Sequence, residues 1–474
     1  MSVEYDLVII GSTIAGIDAA LQAARCKARV ALIQQNCHPR FPWYQAFAQI
    51  GRTLQRVDRV NQLQLFDAPL KTSALDLAQV NRWVSAIAQS QQEFYSPEKL
   101  AASGIEVISG SGEFRRKPQA GFLVNGRLFR ARAYLIAADY TLTIPEIPGL
   151  ETVHYLTPDT IPNAIPRSLI IVGDDPVAVE LAQLYARLGS QVTMVIRQPH
   201  LLAIADSEVA FYVQAQLEAE GIRVISAIHI SEVIQTQKKK RIHAGTLSIE
   251  ADEILFATGW QPQTEGLNLD AVNIREPIKL NEKLQTRNSH VYWCGHPVNA
   301  IAQSQAYLAV NNALFAPIRK FNHHDVIQSI ETMPELAWIG LTEVQAVRKY
   351  RKDVLVLRQS FSSLLKLQVT GDITGLCKII VHRDGRIIGA HIVGQNASEL
   401  ISTIAVAIRR NTRIQDFNQM PALSDNLTAL FRNAAQDWYA WNLNRKSVLQ
   451  DLQESYFAWQ RSLPFDLTKI RRKK

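Results

Sequence analysis

Two short stretches carry the residue types and spacing of a phosphate-binding turn. The first is Gly11-Ser12-Thr13-Ile14-Ala15-Gly16 and the second is Gly173-Asp174-Asp175-Pro176-Val177-Ala178. Both follow an apolar run and lead into a helical pattern, so the chain must turn tightly out of a strand, which glycine permits. The helix that follows points unpaired N–H groups and the positive end of its dipole at whatever lies above the turn, and the usual occupant is a dinucleotide pyrophosphate. The motif is G-x-G-x-x-G with its middle glycine replaced, by Thr13 in one copy and by Asp175 in the other. Thr13 puts a side chain where backbone normally approaches phosphate. Asp175 is expected to face the pyrophosphate, and like charges about 4 Å apart cost about 1 kcal/mol in water and about 4 kcal/mol in partly buried surroundings. Gln34, followed by Gln35, ends the first unit where an acid normally grips the ribose, and Arg197 ends the second. Arg197 is placed to bind a 2′-phosphate, so a nucleotide at the second turn would be NADP rather than NAD.

Other reactive residues are spaced less informatively. Cys26, Cys37, Cys294 and Cys377 are far apart and fit neither a disulfide framework nor a zinc site. His323-His324, His382 and His391 lack ligand spacing, so no metal site is expected. No catalytic side chain can be assigned from spacing alone.

The elements that position the turns read as one βαβ unit written twice. Leu7 to Ile10 form an apolar run, Ile14, Ile17, Ala20, Leu21 and Ala24 share one helical face, and Val30 to Ile33 form a second run. SLIIVGDDPVAVELAQLYARLGSQVTMVIR, from Ser168, repeats the pattern. Enzymes that pass electrons between a flavin and a nicotinamide need one such unit for each dinucleotide. Between the units, the polar segment to about residue 95 reads as helices, and residues 104–137 read as a β-meander returning to the first sheet. Pro145, Pro148 and Gly149 mark a boundary, and a helix is expected from about Ala302 to Phe315.

Composition bounds the rest. The 474 residues, 47% hydrophobic and 20% charged, suit a chain of several globular domains. No apolar run approaches the about 18 residues of a membrane span. The chain enters its first strand almost at once, without room for a signal peptide, so a cytoplasmic location is expected. The net charge of +8 is partly local, in Lys238-Lys239-Lys240-Arg241 and Arg471-Arg472-Lys473-Lys474. These read as solvated basic runs, with no nucleic-acid partner.

In order along the chain, IPGL (147–150), ELAQLYARLGSQVT (180–193), ATGWQP (257–262) and LQTRNSHVYWCG (284–295) are similar to the pyridine nucleotide-disulfide oxidoreductases. The branch is that of dihydrolipoamide dehydrogenase, glutathione reductase and mercuric reductase. The likeness continues through PELAWIGLTEVQA (334–346) and GDITGLCKIIVHRDGRIIGAHIVGQNASELI (371–401). The resemblance implies an α/β chain with two Rossmann-like dinucleotide-binding domains, of FAD and NAD(P) type, plus an α+β C-terminal dimerisation domain, and hence a homodimer. The implied boundaries are 1–150 and 280–330 for the FAD domain, 151–279 for the NAD(P) domain, 331–437 for dimerisation and 438–474 for an aromatic, basic extension. It also implies that Ala137, Gly295 and His296 stand at the FAD site beside the first turn, and Glu180 and Gly259 at the nicotinamide site. Glu180 pairs in the family with a lysine beside the flavin, so that here Glu180 reads either as the partner of Arg52 or as an ordinary exposed helix carboxylate.

Departures from the family are as informative. Aligning Arg52 with the family lysine puts Trp43 and Ala48 at the positions of the redox disulfide, and Met420 replaces the histidine that protonates the leaving thiol. Dithiol exchange needs a second sulfur, and a methionine carries no proton. Disulfide reduction is therefore not expected. His296 replaces the aspartate that holds the ribitol. The expectation is an FAD-binding oxidoreductase without a redox dithiol, possible NAD(P)H dependence included, that passes electrons to a small acceptor or protein partner. The alternative is a degenerate, non-catalytic member acting as a binding or regulatory dimer. Trp438, Trp441, Tyr456, Phe457 and Trp459, beside basic residues, make the tail a candidate contact for an acidic protein partner or a membrane surface.

Overall fold

The computed structural model describes residues 3–35, 43–62, 64, 66–68, 75–117, 119–161, 163–420, 426–445 and 447–463. These fall into two compact units, Met1–Gly340 with His391–Ala405, and Leu341–Ala390 with Val406–Lys474.

The first unit begins β1 (Tyr5–Ile10), α1 (Ile14–Arg25) and β2 (Val30–Gln34), then α2 (Trp43–Gln62), α3 (Leu77–Phe94) and α4 (Pro97–Ala102). Next come β3 (Ile105–Ser109), β4 (Gly112–Arg115), β5 (Gly121–Val124), β6 (Arg127–Phe129), β7 (Ala131–Ala137) and β8 (Tyr140–Leu142). The repeat follows as β9 (Ser168–Val172), α5 (Pro176–Arg187), β10 (Gln191–Val195), α6 (Ser207–Ala219) and β11 (Arg223–Ile225). It is completed by β12 (Glu232–Gln235), β13 (Lys240–Ala244), β14 (Leu247–Ala251), β15 (Glu253–Phe256) and β16 (Trp260–Pro262). The chain then returns through β17 (Val291–Cys294), α7 (Asn299–Leu314), β18 (Gln328–Ile330) and β19 (Glu335–Gly340).

Two parallel sheets result, ordered β17-β7-β1-β2-β3 and β11-β10-β9-β15. In the first, Leu7 to Ile10 register with Val30 to Ile33 on one side, and Leu7 and Val8 to Ile10 register with Ala133 and Tyr134 to Ile136 on the other. These strands read as unbroken apolar runs because both faces are covered, as parallel sheets require. On one face Leu7, Ile9 and Leu135 pack under α1 and α7, where Ala19, Ala20 and Ala23 meet Ala302, Ala306 and Ala309 in one buried cluster. Alanines keep that face of both helices low, so their backbones can approach the sheet and each other. On the other face Val8, Ile10 and Ile136 pack under Phe114, Phe122 and Phe129 of the small antiparallel sheet β4-β5-β6. The meander therefore splits: β3 and β7 join the parallel sheet, and β4 to β6 form its lid. The helix expected from Ala302 starts earlier, at Asn299.

The basic run at 238–241 is not wholly solvated. Lys240 is buried and paired with Glu253, and Arg241 pairs with Glu250 across the β13–β14 ladder.

The second unit contains α8 (Glu343–Tyr350), β20 (Val354–Ser360), α9 (Leu365–Thr370), β21 (Leu376–His382) and part of β22 (Ile387–Gly394). α10 (Ala397–Arg409), α11 (Ala429–Arg445) and α12 (Ser447–Ser462) complete the chain. β20 and β21 pair antiparallel from Val354↔His382 to Ser360↔Leu376. Lys378, almost wholly buried on β21, is neutralised by Glu343 at 2.7 Å. Residue 438, read from sequence as the start of an extension, lies inside α11, with Trp438 buried. The exposed aromatics are Tyr439 on α11 and Tyr456, Phe457 and Trp459 on α12. The terminal run 471–474 lies outside the described residues.

Candidate functional site

The first turn is shaped by close backbone approach. Gly11 has φ +109°, and a Cβ there would lie 2.2 Å from the carbonyl oxygen of Ala137. A Cβ on Gly16 would lie 2.3 Å from the carbonyl oxygen of Gly11, so only glycine lets α1 start this near its strand. Thr13 is the N-cap of α1, and its hydroxyl accepts from the Gly16 amide at 3.2 Å. The side chain read from sequence as an intrusion on phosphate therefore turns onto its own helix, as capping residues do. The amides of Ile14 and Ala15 begin α1, and both residues stand on the wall of a cavity. No acid lies in that first helical turn.

The second turn repeats the backbone with different chemistry. Gly173 has φ +129°, and a Cβ there would lie 1.9 Å from the carbonyl oxygen of Ala257. Asp175 caps α5, its carboxylate accepting from the Val177 amide at 2.9 Å. Pro176 opens the helix without an N–H, which suits the N1 position. Burial holds the Asp175 carboxyl above the ordinary aspartate range, against the bonds from Val177 and Trp260 and with Asp174 adding to the rise.

Both turns open on a cavity of about 690 Å³, a size ordinary for a small-molecule site. Asp139, Asp159, Asp174 and Asp175 stand on its wall with Tyr44, Tyr140 and Trp260, and no lysine or arginine is among the described wall residues. The Tyr44 phenol is pushed up by burial first and then by Glu180, Asp175 and Asp159. Gly295 and His296, expected at the flavin site, are on this wall, as is Gly259, expected at the nicotinamide site. The Gly295 amide donates to the buried Gln305 at 3.0 Å, and its carbonyl accepts from the Tyr140 hydroxyl at 2.7 Å. His296 Nδ1 accepts from the Val298 amide at 3.0 Å, which assigns the proton of the neutral ring to Nε2. Burial, helped by His323, lowers the His296 pKa to about 4, so near neutral pH the ring is an uncharged donor. The family aspartate at this place would be an acceptor.

Other sequence-derived candidates are dispersed. Ser12 is buried beneath the turn, and Ala137 ends β7 with its carbonyl against Gly11. Gln34 accepts from the Ser109 hydroxyl at 3.3 Å and Gln35 donates to the Gly112 carbonyl at 3.2 Å, and neither is on the cavity wall. Arg197 is exposed and also off the wall, where its neighbour Gln198 appears instead. The candidate Arg52–Glu180 pair gives way to a relay. Glu331 stands between the two, its carboxylate meeting Arg52 at 2.9 Å while its amide donates to Glu180 at 2.7 Å. Desolvation raises Glu180 to about 8, with Glu331 and Asp175 adding to the rise, while the amide bond and Arg52 oppose it. Of the two positions aligned with sulfur, Trp43 is buried, its indole N–H donating to the Pro158 carbonyl at 2.8 Å and its ring edge-on to Phe47. Cys37 and residues 421–425 lie outside the described residues. Tyr44, Asp159 and Glu331 were missed in the sequence, since none stands in a motif and only the folded chain brings them near the turns.

Two nucleotide-type βαβ units opening on one cavity define a two-dinucleotide oxidoreductase architecture. The model of the pyridine nucleotide-disulphide oxidoreductases matches residues 5–313 and that of their dimerisation domain residues 326–430. The chain belongs to this family, flavoprotein oxidoreductases whose members use FAD with NAD(P)H. It is similar to a mercuric reductase of Staphylococcus aureus, 30% identical over 87% of this chain and 78% of that one. It is also similar to a dihydrolipoyl dehydrogenase of Bacillus subtilis (strain 168), 28% identical over 89% and 96% of the two chains. Among solved structures, LpdA from Mycobacterium tuberculosis superposes with a TM-score of 0.80 at 22% identity, over 91% of this chain and 99% of that one, which shows the common fold. Among the described residues no helix is long and apolar enough to cross a membrane, and no group of three or more His, Cys, Asp or Glu is placed to hold a metal ion.

Proposed function

We propose that this protein is a homodimeric FAD-binding oxidoreductase that works without a redox-active cysteine pair and hands electrons to a small acceptor, such as a quinone, a metal complex or oxygen, or to a protein partner. The observation that carries the reading is the first turn, where Gly11 and Gly16 keep their close approach and the start of α1 is free of acid. Those features suit the pyrophosphate of FAD, with the Ile14 and Ala15 amides and the helix dipole as its partners. When bound, the flavin supplies the electron-carrying ring; the chain supplies its position. His296 offers an Nε2–H, and Gln305 and Tyr140 fix the Gly295 backbone from both sides.

Sulfur chemistry fits the residues poorly. Burial pushes the Cys377 thiol up to about 12 and raises Cys294 as well, so neither is a ready thiolate. Trp43 fills one aligned sulfur position with an indole, and Met420 supplies no acid. A second reading, a non-catalytic binding or regulatory dimer, is favoured by one observation: Gln34, the candidate ribose ligand, spends its side-chain carbonyl on Ser109.

The visible spectrum and flavin stoichiometry of freshly purified protein separate the two. About one FAD per chain is expected from the oxidoreductase. A colourless folded dimer that also ignores added FAD would leave only the binding role.

A further inference from the structure

We propose that Asp175 decides what the second turn accepts: its carboxylate has taken the place of a ligand phosphate on α5, and the turn does not hold NADPH or NADH. The proposal rests on the reading of this turn as the nicotinamide side of a family oxidoreductase, and it deepens that reading by naming the side that is closed.

A pyrophosphate at a helix start needs free amides and a field that welcomes negative charge. α5 provides little of either, since of its first three residues at most Ala178 has an amide left for a ligand. Pro176 has no N–H, and the Val177 amide is already bonded to Asp175 at 2.9 Å. The favourable end of the helix dipole is thus spent on the chain's own carboxylate. Asp174 and Asp159 stand on the same wall, which has no lysine or arginine among its described residues, and the exposed Arg197 lies off it. A dinucleotide would have to displace the Asp175 cap and then sit among carboxylates. The backbone itself is not the obstacle, because Gly173 retains the positive φ and the close approach to Ala257. Closure therefore resides in side chains, and the reductant or oxidant that reaches the second turn is an uncharged or cationic molecule rather than a nicotinamide dinucleotide.

Direct binding tests this without turnover. NADPH and NADH are titrated calorimetrically into the full-length wild type, Asp175→Gly and Asp175→Asn. The wild type should show no saturation up to about 1 mM, the upper end of ordinary enzyme affinities. Asp175→Gly should bind NADPH at least tenfold more tightly, and Asp175→Asn, which keeps the cap and drops the charge, should fall between. If removing the cap unfolds the glycine variant, the asparagine variant decides alone, by binding more tightly than wild type or not. Micromolar binding of either nucleotide to the wild type, or an asparagine variant no tighter than wild type, overturns the proposal. The flavin content of the same samples is independent, so a colourless preparation would sink the oxidoreductase reading and leave this result standing.

Discussion

The two turns share a backbone and part in their side chains. Gly11 and Gly173 both take a positive φ and both press against a carbonyl of a neighbouring strand end, at Ala137 and Ala257. Both helices are capped by the residue two places on, Thr13 in one and Asp175 in the other. The third glycine position holds Gly16 in the first turn and the fully buried Ala178 in the second. A hydroxyl cap satisfies an amide and leaves the helix dipole for a ligand; a carboxylate cap satisfies an amide and also neutralises the dipole. On the reading proposed above, one backbone serves as an anion site or is filled, according to the charge of a single capping side chain.

The largest effects should come from the shared backbone. Gly11→Ala and Gly173→Ala each drive a Cβ into a carbonyl oxygen at a φ that suits only glycine, so each should lose on the order of 3 kcal/mol or more in chemical denaturation. Only Gly11→Ala should also lose flavin; if both variants lose it equally, the two turns are not chemically distinct. Next in size is the transplant of the second turn's acid into the first. Thr13→Asp should remain folded and weaken FAD at least about tenfold, roughly 1.4 kcal/mol, in flavin-release titrations. Unchanged retention would break the argument that charge at the cap sets the site.

An effect of similar size separates the two helices one turn further along. Asp18 and Glu180 occupy corresponding positions, but Asp18 meets Gln303 at the surface, at 2.6 Å, whereas Glu180 is desolvated and raised to about 8. A carboxyl whose folded pKa lies above its unfolded value binds more protons when folded, so stability falls as pH rises from about 4.5 to about 8. Glu180→Gln, which can still accept from the Glu331 amide, should flatten that fall and gain on the order of 2 kcal/mol above pH 8 relative to wild type. A melting-temperature series in which both proteins lose stability in parallel would contradict it. The smallest effects belong to the caps themselves. Thr13→Ala and Asp175→Ala should each cost about 1 kcal/mol in thermal unfolding, and Asp175→Asn only a few tenths.

Much of the fold was legible. The apolar runs at Leu7–Ile10 and Val30–Ile33 and the helical face through Ile17 and Ala20 are local patterns, and they became β1, β2 and α1 as read. The family resemblance, carried by motif order, extended that to the second sheet and the dimerisation domain. The site was legible only in its turns. Asp175 was visible as a charge in the wrong place, but a sequence does not say whether a side chain points at a ligand or back at its own helix. That depends on the rotamer the first helical turn selects, and here the Val177 amide won. Arg52 and Glu180 were read as candidate partners because the family supplies a pair there; Glu331, far along the chain, came between them. Likewise Lys240 read as one of four solvated charges until the ladder β12-β13-β14 buried it beside Glu253. Sequence alone fixed the elements, because periodicity and glycine placement are set by neighbours in the chain. Tertiary structure alone decided the partners of each charge and the sign of the cavity, because burial and ion pairing join residues that no local pattern links, 13 positions apart for Lys240 and Glu253 and 279 for Arg52 and Glu331.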